Sequence, residues 1–164
     1  MQGDTSVREE KITGRGLTSH TLLAGDPSNP AILLLHGAGP GAHAGSNWLH
    51  LMPDLAENFF VIAPDLIGFG QSVIPEPWPD NVMAWIGTRV EQCFGLLETL
   101  GIEKAHVVGN SMGGALTLQM MSEEPDRIDR VALMGSIGAP GPRTPKAWMR
   151  SSATVTRSRP IPRS

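Results

Sequence analysis

The chain has 164 residues, of which 40% are hydrophobic and 18% charged, and its formal net charge is −3. A chain of this length and composition can bury one core of ordinary size, so we expect one domain. The N-terminus is polar, and no apolar run approaches the roughly 20 residues of a membrane span. These features predict a cytoplasmic protein without a membrane partner.

The charges are distributed unevenly along the chain. All 16 acidic residues precede position 139, whereas six of the 13 basic residues follow it, together with five prolines and four serines. Such a segment buries too little apolar surface to offset the entropy lost on ordering. We therefore expect a folded core over residues 1–138 and a basic, disordered tail over residues 139–164. The tail has one aromatic residue, Trp148, so it lacks the aromatic interleaving of nucleic-acid-binding segments, and no nucleic-acid partner is expected.

Short apolar runs alternate with helical patterns between residues 18 and 134. Strands are predicted at 18–24, 31–35, 59–63, 105–108 and 130–134, and helices at 48–57, 86–100 and 112–121. The 86–100 helix should end near Gly101 and carry Cys93 on its buried face. Alternating buried strands and amphipathic helices predict an α/β fold with a doubly wound, mostly parallel sheet. The regular pattern stops after Gly138.

The run Gly-Asn-Ser-Met-Gly at 109–113 follows a predicted strand and opens a predicted helix. A serine held in a sharp strand-to-helix turn needs glycine two residues away on either side, because larger residues would clash. Ser111 is therefore the candidate nucleophile. The backbone N–H of Met112, at the start of a helix, is a candidate oxyanion donor. The alternative is a chance match in a glycine-rich chain, against which the flanking strand and helix argue.

The run His-Gly-Ala-Gly-Pro-Gly at 36–41 follows another predicted strand. A glycine-rich loop here can aim a second N–H, from Ala38 or Gly39, at the same oxyanion. The alternative is a dinucleotide-binding fingerprint, since Gly37, Gly39 and Ala42 fit G-x-G-x-x-A. That fingerprint should open directly into a helix, whereas Pro40 and the glycines after it delay the helix.

None of the five histidines shows the spacing of a metal site, so neither a metal nor a cofactor is expected. His36 directly precedes the glycine-rich loop, and we expect it to brace that loop. His106 lies inside a predicted strand and is expected to be structural.

These motifs, together with Ser-Asn-Trp at 46–48 and Ala-Pro-Asp-Leu-Ile-Gly-Phe-Gly-Gln-Ser at 63–72, resemble the α/β-hydrolases. Among these, they look most like the meta-cleavage product hydrolases, which split a carbon–carbon bond in ring-fission products of aromatic or steroid degradation. The resemblance runs from about residue 33 to Gly138. It implies a small-molecule substrate of the 2-hydroxy-6-oxo-dienoate type and no cofactor. It is also compatible with a homo-oligomer of the intact family member.

The resemblance also implies roles for individual residues. Ser111 would be the nucleophile, and the N–H groups of Met112 and of Ala38 or Gly39 the oxyanion hole. The resemblance also implies that Asn47, Asn110 and Gly37 surround the dienoate end of the substrate. The alternatives are that Asn110 is simply tolerated in the turn and that Asn47 is a helix N-cap before Trp48. Asp65 matches a turn residue of the family and is not the catalytic acid.

The chain departs from the family pattern after the serine. In this fold the acid and the histidine of the triad follow the serine in chain order. No histidine follows His106, and Asp126 and Asp129 lie where the fold would not place the acid. The family's lid, substrate-binding arginine and last strands are missing as well. We therefore expect an α/β-hydrolase truncated before its triad is complete, with turnover absent or impaired.

The change of composition after Gly138 is what a reading-frame shift would produce, and a genuine short protein with a natural tail is the alternative. A sheet that ends after residues 130–134 would leave an unpaired edge and an uncovered apolar face, so we predict poor solubility. Two other functions stay open, namely a carboxylic-ester hydrolase and a non-catalytic binding module.

Overall fold

The computed structural model describes residues 5–138, so the tail predicted over 139–164 lies outside the described part. A short 3₁₀ turn at Pro125–Arg127 accompanies the main elements. Those elements are β1 (Arg8–Gly14), β2 (Leu17–Ala24), β3 (Ala31–Leu35), α1 (Ala44–Trp48), α2 (Met52–Ala56), β4 (Phe60–Pro64), α3 (Val82–Thr99), β5 (Ala105–Asn110), α4 (Met112–Glu123) and β6 (Ile128–Met134).

Within residues 5–138 the six strands form one mixed sheet in the order β1-β2-β4-β3-β5-β6. The β1–β2 and β2–β4 pairs are antiparallel, and the other three pairs are parallel. This is the α/β, doubly wound and mostly parallel sheet that the alternating pattern predicts.

The core lies on both faces of the sheet, because successive side chains of a strand point to opposite sides. On one face, Phe94 of α3 and Leu116 of α4 belong to a cluster with Leu33, Leu35 and Ile62 of the sheet. On the other face, Trp48 of α1 and Met52 of α2 belong to a cluster with Ile32, Leu34 and Val61. Strand β3 is buried on both faces, as expected for an inner strand of a parallel sheet.

Strand β1 was not predicted from the sequence. Its residues Arg-Glu-Glu-Lys-Ile-Thr-Gly are mostly polar, and Ile12 is the one residue of the strand that is buried. Because β1 lies at the edge of the sheet, pairing with β2 is enough to hold it in place, and no apolar alternation marks it.

The single helix predicted over residues 48–57 is wrong. The structure has two short helices, α1 and α2, with a bend between them. Pro53 explains the break, because its ring would clash with the carbonyl of Leu49 in a continuous helix and it has no N–H to donate. Pro53 instead lies in the first turn of α2, where no intrahelical donor is needed.

Strand β6 is the outermost strand on its side of the described sheet. Leu133 and Met134 are 43% and 51% exposed, and Ile137 just beyond the strand is 53% exposed. Exposed apolar residues beside an unpaired strand edge favour association. They are the physical basis of the predicted poor solubility, which stays a prediction.

Candidate active site

The parallel strands β3, β4, β5 and β6 all end at the same edge of the sheet, and the segments that follow them meet there. These are the loop at 36–43 after β3, the loop at 65–72 after β4, the turn at Ser111 after β5, and residues 135–137 after β6. Ligands of open α/β sheets bind outside the carboxyl ends of the strands. The candidate residues from the sequence lie in or next to these segments.

Ser111 occupies a strained turn between β5 and α4. Its φ is +52° and its ψ is −110°, a conformation that L-residues rarely adopt. The turn is held at both ends, since the Ser111 N–H donates to the Met134 carbonyl at 2.9 Å and the Ser111 carbonyl accepts from Ile137 at 3.2 Å and from Gly114 at 3.0 Å. Within residues 5–138 the Ser111 hydroxyl has no hydrogen-bond partner and makes no cap on α4.

The glycines around Ser111 are required by close packing. A Cβ on Gly109 would lie 2.5 Å from both the Gly113 carbonyl oxygen and the Thr117 hydroxyl, and one on Gly113 would lie 2.6 Å from the carbonyl carbon of Leu35. Both contacts are far shorter than any real Cβ makes. The steric argument for glycine two residues before and two residues after the serine is therefore confirmed. At Gly113 the added Cβ would collide with β3.

Asn47 connects three segments of the site. Its Oδ1 accepts a hydrogen bond from Asn110 Nδ2 at 3.0 Å and from the Gly37 N–H at 3.3 Å. A Cβ on Gly37 would lie 3.3 Å from the Ser111 Cβ, so Gly37 is directly beside the serine. Asn47 lies inside α1, whose N-cap is His43. The alternative of Asn47 as an N-cap is therefore wrong, whereas Asn47, Asn110, Gly37 and Ser111 do come together.

The loop at 36–43 has free backbone donors at the two positions after Gly37, the residue that lies beside Ser111. The Gly37 N–H is taken by Asn47, whereas those of Ala38 and Gly39 have no partner within the described residues. The Met112 N–H lies in the first turn of α4, where helix N–H groups have no intrahelical acceptor. Helix α1 begins only at Ala44, so the loop does not open directly into a helix as a dinucleotide fingerprint requires.

His36 braces this loop, as expected. Its Nδ1 lies 2.8 Å from the Gly37 carbonyl, and its Nε2 accepts a hydrogen bond from the Leu66 N–H at 2.9 Å. That pattern defines a neutral imidazole with its proton on Nδ1. Burial lowers the pKa of His36 and so favours the same neutral form. His106 lies in β5 with its ring edge-on to Phe59, which agrees with a structural role.

Asp65 anchors the loop after β4 to two other parts of the chain. Its carboxylate accepts from the Ala44 N–H at 2.8 Å and the Gln71 N–H at 2.9 Å, and it lies 2.9 Å from His20 Nδ1. All of these contacts are internal and Asp65 is 2% exposed, so the carboxylate is not free for chemistry. Its place as a turn residue was predicted, but its function as an anchor of α1 was not. Two of its partners, Ala44 and His20, lie 21 and 45 residues away, too far along the chain to form a motif.

The comparisons with known proteins agree with this geometry. The family model described as alpha/beta hydrolase fold matches residues 30–155, and the chain belongs to this family. The solved 2-hydroxy-6-oxo-6-phenylhexa-2,4-dienoate hydrolase from Rhodococcus sp. strain RHA1 is 59% identical with a TM-score of 0.80, over 90% of this chain and 53% of that one. A serine hydrolase from the polyaromatic-hydrocarbon-degrading bacterium Cycloclasticus zankles is 41% identical with a TM-score of 0.78, over 85% of this chain and 49% of that one.

Among curated proteins, the 2-hydroxymuconate semialdehyde hydrolase of Pseudomonas sp. strain CF600 is 40% identical over 84% of this chain and 46% of its own length. The resemblance to the meta-cleavage product hydrolases is thereby confirmed. The chain spans about half the length of the relatives that it matches. No helix within residues 5–138 combines the length and the apolar character that crossing a membrane requires.

Proposed function

We propose that this chain carries the nucleophile and oxyanion-binding part of a hydrolase that cleaves a carbon–carbon bond in a 2-hydroxy-6-oxo-dienoate, a ring-fission product of aromatic or steroid degradation. The observation that carries the proposal is the strained turn at Ser111. Ser111 has an unpartnered hydroxyl within residues 5–138, and it lies beside Gly37, which Asn47 joins to Asn110. The names of the similar proteins supply the substrate class.

Hydrolysis of such a bond adds water across it. The acyl carbon gains the hydroxyl and becomes a carboxylic acid, and the other carbon gains a proton. Negative charge develops on the acyl oxygen on the way, and the Met112 N–H together with that of Ala38 or Gly39 would stabilise it. Ser111 would attack the acyl carbon or hold the reacting oxygen in place.

Asn47, Asn110 and Gly37 would form the wall of the site at the dienoate end. Asn47 Oδ1 is already used to hold the other two residues, so Asn47 fixes this wall through its hydrogen bonds to them. Asn47 Nδ2 donates to Ser46 Oγ at 3.2 Å. The atoms of the Asn110 amide that these contacts leave free would face the carboxylate and hydroxyl of the substrate, which are the polar groups of a 2-hydroxy-dienoate.

A serine without an adjacent base is a weak nucleophile. The 164 residues contain no histidine after His106, and the Ser111 hydroxyl has no basic partner within residues 5–138. A chain of these residues alone would therefore bind the dienoate and turn it over slowly, at the level that oxyanion stabilisation supports by itself. A cytoplasmic location, and a small-molecule substrate without a nucleic-acid partner, belong to the same proposal.

The test is a titration of the full chain with 2-hydroxy-6-oxo-6-phenylhexa-2,4-dienoate, followed by the absorbance of this yellow compound. We expect saturable binding by the wild type and by Ser111→Ala, and slow loss of colour with the wild type alone. Absence of saturable binding would refute the proposal. A p-nitrophenyl ester run in parallel separates the ester-hydrolase alternative, which predicts the faster turnover for the ester. Tight binding with no loss of colour beyond that of Ser111→Ala identifies a binding module.

A further inference from the structure

Arg89 on α3 was not singled out from the sequence, yet it contacts the first turn of α4. Its guanidinium contacts the faces of two aromatic rings, 5.0 Å from the Trp85 centroid and 5.2 Å from that of Phe69. Its Nε donates to the Ile67 carbonyl at 2.9 Å, and its Nη1 lies 3.7 Å from Met112 Sδ. A single side chain thus joins α3, the loop at 65–72 and the residue that follows Ser111.

The same stack continues to the other side of the site. Phe69 meets the His36 ring edge-on, with 5.3 Å between the centroids. His36 in turn contacts the Gly37 carbonyl, at the start of the segment that carries the free N–H groups of Ala38 and Gly39. Arg89 therefore contacts the side chain of Met112 directly, and it connects to the loop at 36–43 through Phe69 and His36.

Arg89 is half-buried and has no acidic partner within the described residues. The more exposed Arg15, by contrast, is paired with Glu91, Glu98 and Glu124. Burying a cation without an anion has a cost in free energy. The two ring faces and the Ile67 carbonyl offset part of that cost. The remaining guanidinium charge lies against the Met112 side chain, at the end of α4 where an anion is favoured.

We infer that Arg89 is a positioning residue of the proposed site. It holds the loop at 65–72 against the first turn of α4 and so sets the Met112 N–H relative to the N–H groups of Ala38 and Gly39. The inference rests on the proposed function, because it concerns the alignment of the same oxyanion donors. A guanidinium suits this task because its planar fork stacks on aromatic faces while it donates to a carbonyl in its plane.

The first experiment compares Arg89→Met and Arg89→Lys with the wild type in single turnover of 2-hydroxy-6-oxo-6-phenylhexa-2,4-dienoate. Arg8→Met is the matched control, because Arg8 lies on β1 and pairs with the exposed Glu10, away from the site. We expect Arg89→Met to lower the rate constant about tenfold, since misplacing reacting groups by fractions of an ångström has effects of that order. Binding should stay within about twofold, as for a loss confined to the transition state.

Arg89→Lys keeps the charge and should recover part of the rate, whereas Arg8→Met should match the wild type in both rate and affinity. A rate for Arg89→Met equal to that of Arg8→Met would overturn the inference. A loss of rate that parallels the loss of melting temperature across all variants would also overturn the inference, because such a correlation would mean that Arg89 only supports the fold. If Arg89→Met does not fold, the same comparison is made with Arg89→Lys, whose rate must then lie below that of the wild type.

A second readout does not depend on turnover. Backbone ¹⁵N relaxation on the full chain reports order at Ala38, Gly39 and Met112 without any substrate. Lower order parameters at these three residues in Arg89→Met than in Arg8→Met support the inference, and equal values overturn it. If the wild type binds no dienoate, or binds it without turnover, the relaxation result alone decides the role of Arg89.

Discussion

Replacing Gly113 with alanine tests how closely α4 approaches the sheet. The new Cβ would lie 2.6 Å from the carbonyl carbon of Leu35, in the fully buried strand β3. Neither partner can move away, because one is a helix backbone and the other is a strand paired on both sides. Overpacking of a core costs about 1–3 kcal/mol. A collision between two backbones belongs at the upper end, so we expect Gly113→Ala to lower the free energy of unfolding by about 3 kcal/mol.

Gly87→Ala is the matched control, because Gly87 lies in α3 and a Cβ there meets nothing within 4 Å. The exchange removes backbone freedom from the unfolded chain and should raise the free energy of unfolding by about 0.5–1 kcal/mol. The two alanine variants should therefore differ by roughly 7–16 °C in melting temperature, at about 2–4 °C per kcal/mol for a chain of this size.

Urea unfolding followed by tryptophan fluorescence measures both changes, since Trp48 is 3% exposed and reports the loss of the core. A Gly113→Ala variant within about 1 kcal/mol of the wild type would refute the reasoning. It would mean that α4 can move away from β3 at little cost and that the turn at Ser111 is not held by this contact.

Three further predictions concern single side chains. The pKa of His36 is lowered by burial, so the unfolded chain takes up a proton near pH 6.5 while the folded chain does not, and the free energy of unfolding should fall as the pH drops below about 6.5. Burial raises the pKa of the Cys93 thiol to about 12, so a thiol reagent such as DTNB should label it only after denaturation. Asn47→Ala removes the acceptor of the Gly37 and Asn110 donors, and it should lower the urea-unfolding free energy by about 1–3 kcal/mol.

Each of these three predictions has a control. His36→Gln cannot titrate, so its unfolding free energy should lose the part of the pH dependence that His36 contributes, and an unchanged profile contradicts the assignment. Labelling of native Cys93 at the rate of the urea-unfolded chain would show that α3 does not bury it. Asn47→Asp keeps an oxygen acceptor for both donors, so it should destabilise less than Asn47→Ala, and the reverse order contradicts the proposed hydrogen bonds.

The parts of the structure that were predictable are those that a local pattern encodes. Strand β3 was predicted with its observed bounds, because five consecutive apolar residues between loop signals can only be buried on both faces. The turn at Ser111 was predictable because steric exclusion dictates glycine at fixed spacings from the serine. Helix α3 was recognised from its spacing, although it begins earlier than expected, at an Asn81 cap whose side chain accepts from Ala84.

Other features depend on residues far apart in the chain. Asp65 contacts Ala44 and His20, which are 21 and 45 residues away, and no spacing rule connects them. Arg89 reaches Ile67 from 22 residues away and Met112 from 23, so its role appears only once the helices are packed. The break between α1 and α2 has a local cause, because Pro53 interrupts a helix although the apolar spacing continues across it.

The close contacts of the glycines have a consequence for how this site can change. Gly109 packs against Gly113 and the Thr117 hydroxyl, and Gly113 packs against the Leu35 carbonyl, so the turn at Ser111 is located largely by main-chain atoms. Main-chain contacts are the same whatever side chains surround them. The side chains of the proposed site should therefore be exchangeable one at a time without moving the serine, whereas an added methyl group at Gly109 or Gly113 should shift it.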